Sequence, residues 1–309
     1  MDNFILLAGR AHPDLVKAIA DELGLKPGAC AIERFPDGEV SIKLLETVRH
    51  KEVFIVQPTS PPVNENLVEL LVLVDACRRA SAKHITAVVP YFGYARMDKR
   101  HGREPIAARM VADLMQNVGV DHAITIDLHA AQIEGFFHIP VDNLTAVPVL
   151  CNALRDRLPK DFVVVSPDAG AMKMATEYAH RLGASVILIH KRRESGSKTH
   201  VTHLVGDVSG RGCLIVDDMI STGGTIAESI EVLLVAGARP EIIVAVTHGL
   251  FLTGTREKLD HESVSTIFTT DTMPMREQNW PKLQVVSVAP VIASAIKRLI
   301  TDGSLSDLF

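Results

Sequence analysis

Short runs of β-branched and aliphatic residues recur along the chain with longer helical stretches between them. This alternation limits the possible folds more than any other feature. The runs read VFIVQ from Val53, ITAVVPY from Ile85, AITIDLH from Ala123 and FVVVSPD from Phe162. They continue with SVILIH from Ser185, GCLIVDD from Gly212, IIVAVTHG from Ile242 and TIFTTD from Thr266. None has the polar alternation of a half-solvated strand, so each predicts a strand buried on both faces of a mostly parallel sheet. Between two of them, Asn64 to Ala80 predicts a helix with Asn64 as its N-cap. Glu65 and Glu69 sit near its positive end, and Arg78 and Arg79 near its negative end. Leu67, Leu70, Leu71, Val74 and Cys77 share one face at helical spacing. Strand, helix and strand in repetition predict an α/β fold with helices flanking the sheet.

A chain of 309 residues suits roughly two domains. The pattern divides into units 1–145 and 146–289, with a boundary near Leu144 to Pro148 and no low-complexity linker. Leu150 to Leu158 predicts a helix opening the second unit, and Pro290 to Ile300 an amphipathic helix by which 290–309 packs back on the first. A net charge of -5 excludes any general attraction to nucleic acid or anionic membrane. Any phosphate binding must therefore come from local clusters of cationic groups and backbone amides. Cys30, Cys77, Cys151 and Cys213 form no CxxC pair, which argues against a zinc ribbon or disulfide framework and for a reducing, cytoplasmic compartment. MDNFILLAGR lacks the basic start and the length of a signal peptide, and Glu69 and Asp75 interrupt the longest apolar stretch, so no membrane span is predicted.

In open α/β sheets ligands bind beyond the carboxyl ends of the strands. Here those ends read YFGYAR, DLH, SPDAG, HKRR, DDMISTGGT, THG and TTD, a concentration of polar groups that core loops do not need. The strongest signal is CLIVDDMISTGGT, from Cys213 to Thr225. Apolar residues lead into two acids, then into a loop of Ser221, Thr222, Gly223, Gly224 and Thr225, with a helix expected from about Ile226. The glycines let amides approach a ligand closely and the helix start adds positive potential, which suits a phosphate dianion. Asp217 and Asp218 are then placed to accept from ribose hydroxyls. A capped turn would explain the Ser and Thr but not the two acids. The segment resembles the phosphoribosyl-diphosphate signature of phosphoribosyltransferase-type folds. GSKT at Gly196 to Thr199 is no P-loop, because that motif needs Gly directly before Lys and Ser197 stands there, and no GxGxxG follows any strand.

FPDGEV, PVNENLVELL, PYFGYAR, DLHAAQIEGFF, VVVSPDAG, HKRR, VDDMISTGGT and SLSDLF, in this order, resemble the ribose-phosphate diphosphokinase family over nearly the whole chain. The resemblance implies two phosphoribosyltransferase-like α/β domains. It also implies transfer of the β,γ-diphosphoryl group of MgATP to the C1 hydroxyl of ribose 5-phosphate. FPDGE implies an ATP-base contact through Phe35, Asp37, Gly38 and Glu39, often reaching into a neighbouring subunit, and PDG is also a good turn. Arg96 and Met97 fall at the positions that clamp ATP, where a planar cation gives paired hydrogen bonds to phosphate. His129 and Asp168 match metal-linked positions and imply Mg²⁺, which bridges phosphate oxygens and keeps waters. Taken alone, His129 would read as a structural histidine; DLHA together with SPDAG assigns it to the metal. Lys191 and Arg193 open KRRESGSKTHVTH, which resembles the mobile catalytic loop, Arg193 also facing ribose 5-phosphate.

The chain departs from the family pattern at several points. Met97 replaces the usual Gln, Ser221 the common Asp, AMKMA follows SPDAG with Lys173 as the nearby base, and His190 precedes KRR. Arg49, Ser81, Ser304 and Ser306 resemble a regulatory site for phosphate and ADP between subunits. The resemblance further implies a homo-oligomer, often a hexamer. Two rival readings are a phosphoribosyltransferase, which would not need FPDGE, the Lys191 loop or the doubled domain, and a non-catalytic regulatory homologue.

Overall fold

Each apolar run read above is a strand. The computed structural model describes residues 3–100, 102–193, 200–275, 279–306 and 308, with backbone alone at 191–193 and 200–202. The chain forms two units, the first of Met1–Thr145, Thr272–Pro274 and Val288–Phe309, the second of Ala146–Asp271 and Met275–Ser287.

In the first unit, β1 (Phe4–Ala8) leads into α1 (Pro13–Leu23) and the strands β2 (Cys30–Arg34) and β3 (Val40–Leu44). Then follow β4 (Glu52–Val56), α2 (Val63–Arg79), β5 (His84–Val89), α3 (Ala107–Val118), β6 (His122–Ile126), a 3-10 turn (Ala131–Phe136) and β7 (Val141–Leu144). A five-stranded parallel sheet runs β1-β4-β5-β6-β7, with Leu6 opposite Phe54 and Ile126 opposite Leu144. Strand side chains alternate between faces. Leu7, Ile55 and Ala87 pack with Leu70 and Val74 of α2 and Val111 and Met115 of α3 in one core. β2 and β3 form a separate antiparallel hairpin.

The second unit holds α4 (Val147–Leu154), β8 (Phe162–Ser166), α5 (Met172–Leu182), β9 (Val186–Arg193), β10 (His200–Val205), β11 (Gly212–Ile220) and α6 (Gly224–Val235). It continues with β12 (Ile242–Gly249), α7 (Thr255–Leu259), β13 (Val264–Thr270) and β14 (Leu283–Val286). Its sheet runs β10-β9-β8-β11-β12-β13-β14, antiparallel only between β9 and β10. Val165, Ile215 and Val244 pack with Ile226, Ile230 and Leu233 of α6, closed by Trp280 edge-on to Phe251 at 5.8 Å. The last helix, α8 (Ala289–Leu299), belongs to the first unit and lies against α1. Ile292 and Ile296 of α8 and Leu15 and Ile19 of α1 are buried there, each such side chain contributing about 1.5–3 kcal/mol.

Four expectations change. Pro62, not Asn64, caps α2 without a side-chain bond, because Asn64 Oδ1 instead accepts from the Tyr94 hydroxyl. The helix expected over 150–158 spans Val147–Leu154: Pro148 suits its first turn, and Arg157 N closes a turn on Leu154 O at 2.8 Å. The stretch from Lys191 is partly strand, since β9 continues to Arg193 by pairing Lys191 with Thr202 and Arg193 with His200. Finally, β11 runs through both acids to Ile220, and α6 starts at Gly224 rather than Ile226.

Candidate active site

In the second unit, β8, β11, β12 and β13 present their carboxyl ends to one edge of the sheet. Asp217 lies inside β11, opposite Val246, and its Oδ1 accepts from Asp218 N at 2.9 Å. Burial, with the Asp218 and then the Asp168 charge beside it, pushes the Asp217 carboxyl up from 3.8 to about 8. The two neighbouring charges and burial thus favour the neutral form of Asp217. Asp168 stands exposed after β8. Its Oδ1 accepts from Gly170 N at 2.8 Å and Ala171 N at 3.1 Å, and Ser166 Oγ holds its carbonyl at 2.7 Å.

After Ile220 the chain crosses into α6 through Ser221, Thr222 and Gly223. Gly223 takes φ +74°, and a Cβ there would sit 3.1 Å from Thr255 Cγ2 and 3.2 Å from Leu259 Cγ. Among the described residues, the amides of Thr222, Gly223, Gly224 and Thr225 make no hydrogen bond. Unpaired amides at a helix start favour an anion. From behind, Thr255 Oγ1 donates to Ser221 O at 2.9 Å and Lys258 Nζ to Thr222 O at 3.1 Å. The backbones of Lys191 and Arg193 lie at the end of β9, and their side chains fall outside the described residues.

In the first unit, Phe35, Asp37, Gly38 and Glu39 form the tip of the β2–β3 hairpin. Phe35 N donates to Glu39 O and Gly38 N to Phe35 O, both at 2.9 Å, with Gly38 at φ +96°. Phe35 is 53% exposed at this tip. At the carboxyl edge of the parallel sheet, Thr59 fixes the loop after β5: Thr59 N donates to Tyr91 O at 2.9 Å, and Gly93 N to Thr59 Oγ1 at 2.6 Å. Tyr94 turns the chain at φ +66°, leaving Arg96 exposed with no hydrogen bond or ion pair among the described residues. Met97, beside it, is bonded through its backbone to Tyr94 and Ala108.

Asp127, at φ +42°, turns His129 out to solvent, and Asn143 Oδ1 braces that turn by accepting from Leu128 N at 3.0 Å. Gln132 Nε2 donates to Asp98 and so ties the His129 loop to the Arg96 loop. In the same unit, buried Glu69 accepts from Arg10 Nε at 2.8 Å and from Gln57 Nε2 at 3.1 Å. Elsewhere in this unit, His50 N donates to Ser81 O at 2.8 Å beside exposed Arg49. Ser304 Oγ pairs with Ser306 Oγ at 2.9 Å, but no hydrogen bond joins that pair to Arg49 or Ser81 among the described residues.

Sequence reasoning overlooked Thr59, Lys258 and Thr255. Thr59 follows an apolar run, in VFIVQPTS, and the strand-end rule applied there too would have found it. Nothing local marks Lys258 or Thr255. Among the described residues no group of three or more His, Cys, Asp or Glu could enclose a metal. All four cysteines are free thiols, and no helix among the described residues is long and apolar enough to cross a membrane.

Residues 4–119 match the family described as the N-terminal domain of ribose phosphate pyrophosphokinase, and residues 193–309 the phosphoribosyl synthetase-associated domain. The ribose-phosphate pyrophosphokinase of Rhodopirellula baltica is 46% identical over 100% of this chain and 99% of its own length. That of Thermotoga maritima is 44% identical over 98% and 97%. The crystal structure of phosphoribosylpyrophosphate synthetase from Mycobacterium smegmatis superimposes with a TM-score of 0.92 at 39% identity, covering 98% of this chain and 100% of that one.

Proposed function

The chain belongs to the ribose-phosphate pyrophosphokinase family, and on that premise we propose that it makes 5-phosphoribosyl 1-diphosphate and AMP from MgATP and ribose 5-phosphate. The observation that carries this reading is the edge of β11 and α6. Two carboxylates stand beside four consecutive unbonded amides, a hydroxyl-binding pair next to a phosphate cradle. Asp217 and Asp218 accept from the ribose hydroxyls, and Ser221 to Thr225 hold the 5-phosphate.

The C1 hydroxyl oxygen forms a bond to the β-phosphorus while the bond from that phosphorus to the α,β-bridging oxygen breaks. AMP leaves with the bridging oxygen, and the hydroxyl proton passes to solvent water. Little covalent work falls to the protein, so orientation and charge neutralisation dominate. Phe35 stacks on adenine, and Asp37, Gly38 and Glu39 supply hydrogen bonds around it. Arg96 clamps ATP phosphate, with Met97 beside it. Lys191 and Arg193 neutralise charge on the transferred group.

Asp168 fits the expected Mg²⁺: its Oδ1 is fixed by two amides, and its Oδ2 accepts no hydrogen bond among the described residues. One or two carboxylates with substrate phosphates and waters suffice for this ion, so the lack of an all-protein cage is no obstacle. His129 is the second protein group assigned to it. Held by Asp168 and His129, the ion would supply charge withdrawal from the phosphates of ATP. The exposed Phe35 supports assembly as a homo-oligomer in which the hairpin completes a neighbour's adenine site. Arg49, Ser81, Ser304 and Ser306 are assigned to phosphate-dependent regulation.

The deciding experiment measures AMP release from ATP with and without ribose 5-phosphate, alongside formation of the diphosphate sugar. AMP formed only with the sugar phosphate supports the reading. Consumption of a supplied diphosphate sugar by a base would identify a phosphoribosyltransferase, and no turnover would identify a regulatory homologue.

A further inference from the structure

We propose that Lys258 and Thr255 of α7 are positioning residues for the sugar phosphate, acting through the back of the loop that binds it. This deepens, and rests on, the reading of residues 221–225 as the phosphate cradle. In a trans peptide the carbonyl and the following N–H point to opposite sides of the chain. Thr222 O accepts from Lys258 Nζ at 3.1 Å, so the amide it polarises is that of Gly223. Ser221 O accepts from Thr255 Oγ1 at 2.9 Å and from Leu252 N at 3.0 Å, and the amide it polarises is that of Thr222. Hydrogen bonds in series strengthen one another, so carbonyls held from behind make better donors in front. Both of those amides are unbonded among the described residues.

Three further observations point the same way. The Lys258 contact brings a full positive charge one peptide plane behind the cradle. Position 221 is Ser, so no carboxylate at that position offsets the charge. A Cβ on Gly223 would meet Thr255 Cγ2 at 3.1 Å and Leu259 Cγ at 3.2 Å, so α7 packs directly against the loop. Thus α7 fixes both the shape and the polarity of the cradle.

The test compares Lys258→Ala, Lys258→Arg, Thr255→Val and Thr255→Ser in steady-state turnover and in calorimetric titration with ribose 5-phosphate in the absence of ATP. Lys258→Ala is expected to raise the KM and Kd for ribose 5-phosphate roughly tenfold, the effect of losing one charge-assisted hydrogen bond. The KM for ATP, kcat and Tm should stay near wild type, and Lys258→Arg should recover most of the affinity. Thr255→Val should weaken the sugar phosphate in the same selective way, with Thr255→Ser restoring it. An unchanged affinity in Lys258→Ala overturns the proposal. So does a parallel rise in both KM values with a lowered Tm, which would mark ordinary structural support. Lys258 is exposed, so its variants decide the matter even where Thr255→Val does not fold. If wild type shows no turnover with ribose 5-phosphate, the proposed reaction fails, and the calorimetric comparison alone judges the role of α7.

Discussion

The hydroxyl of Thr59 accepts a hydrogen bond from the amide of Gly93 at 2.6 Å, joining the ends of two neighbouring strands directly beneath the loop that presents Arg96. A Cβ on residue 93 would lie 2.6 Å from Thr59 O and 2.8 Å from Val63 Cγ1, so the loop can approach Thr59 only with Gly there. Gly93→Ala is expected to cost about 1–3 kcal/mol of stability by overpacking. It should raise the KM for ATP by roughly tenfold or more, because small displacements of a positioning group are costly. The KM for ribose 5-phosphate should move far less. Equal effects on both substrates would separate Arg96 from ATP.

Asp217 carries a signature in pH. Its folded carboxyl sits near 8 against 3.8 for the free group, so the neutral form is the one the fold tolerates. That stability is fully present below pH 3.8 and is lost as pH rises through about 8, where the buried group must hold a charge. Asp217→Asn, always neutral, should melt above wild type at pH 9 when metal and substrates are absent. The gap should close towards pH 4 and amount to several degrees, at about 2–4 °C per kcal/mol. The same variant should raise the KM for ribose 5-phosphate while leaving ATP binding largely intact. A variant less stable than wild type at pH 9 would contradict the assignment of burial as the cause.

Lys191→Ala tests the cation assigned to the transferred group. Removing one preorganised transition-state donor costs on the order of 10²–10³ in kcat. Calorimetry should show ribose 5-phosphate affinity little changed. Wild-type turnover in the purified variant would end the assignment.

Regulation is tested at Arg49. Initial rates are measured against phosphate concentration at constant ionic strength, for wild type and Arg49→Ala. Phosphate should activate wild type, and the variant should need a higher concentration for the same effect. Full wild-type activity without phosphate, unchanged by the mutation, would remove the site and leave the catalytic reading intact.

Burial decided which strands were legible. β4, β5, β8, β11 and β12 are enclosed on both sides and read as unbroken apolar runs. β2, β3 and β14 are half exposed, and their mixed sequences CAIER, VSIKL and LQVV carry no such run. PDG marked a turn, but nothing in FPDGE said that it is the tip of a hairpin bearing an exposed aromatic ring. The acids and the Ser-Thr-Gly loop are contiguous, so Asp217 to Thr225 could be read together. Lys258 and Thr255 could not, because they reach that loop from 36 and 34 residues further along the chain. The helix at Asn64 shows a local rule losing to tertiary chemistry: its amide side chain serves Tyr94 and does not cap the helix.

The return of α8 to the first unit sets an order of assembly during synthesis. Residues 146–271 and 275–287, which build the second unit, are synthesised before the strip of chain that lies against α1. At ordinary elongation rates that interval is on the order of ten seconds. Throughout it, α1 lacks the helix that lies against it in the finished unit. The nascent first unit is therefore a natural client for chaperones that shield apolar surface. Termination shortly before residue 288 would release a chain with every residue of the second unit but without the α8 segment of the first.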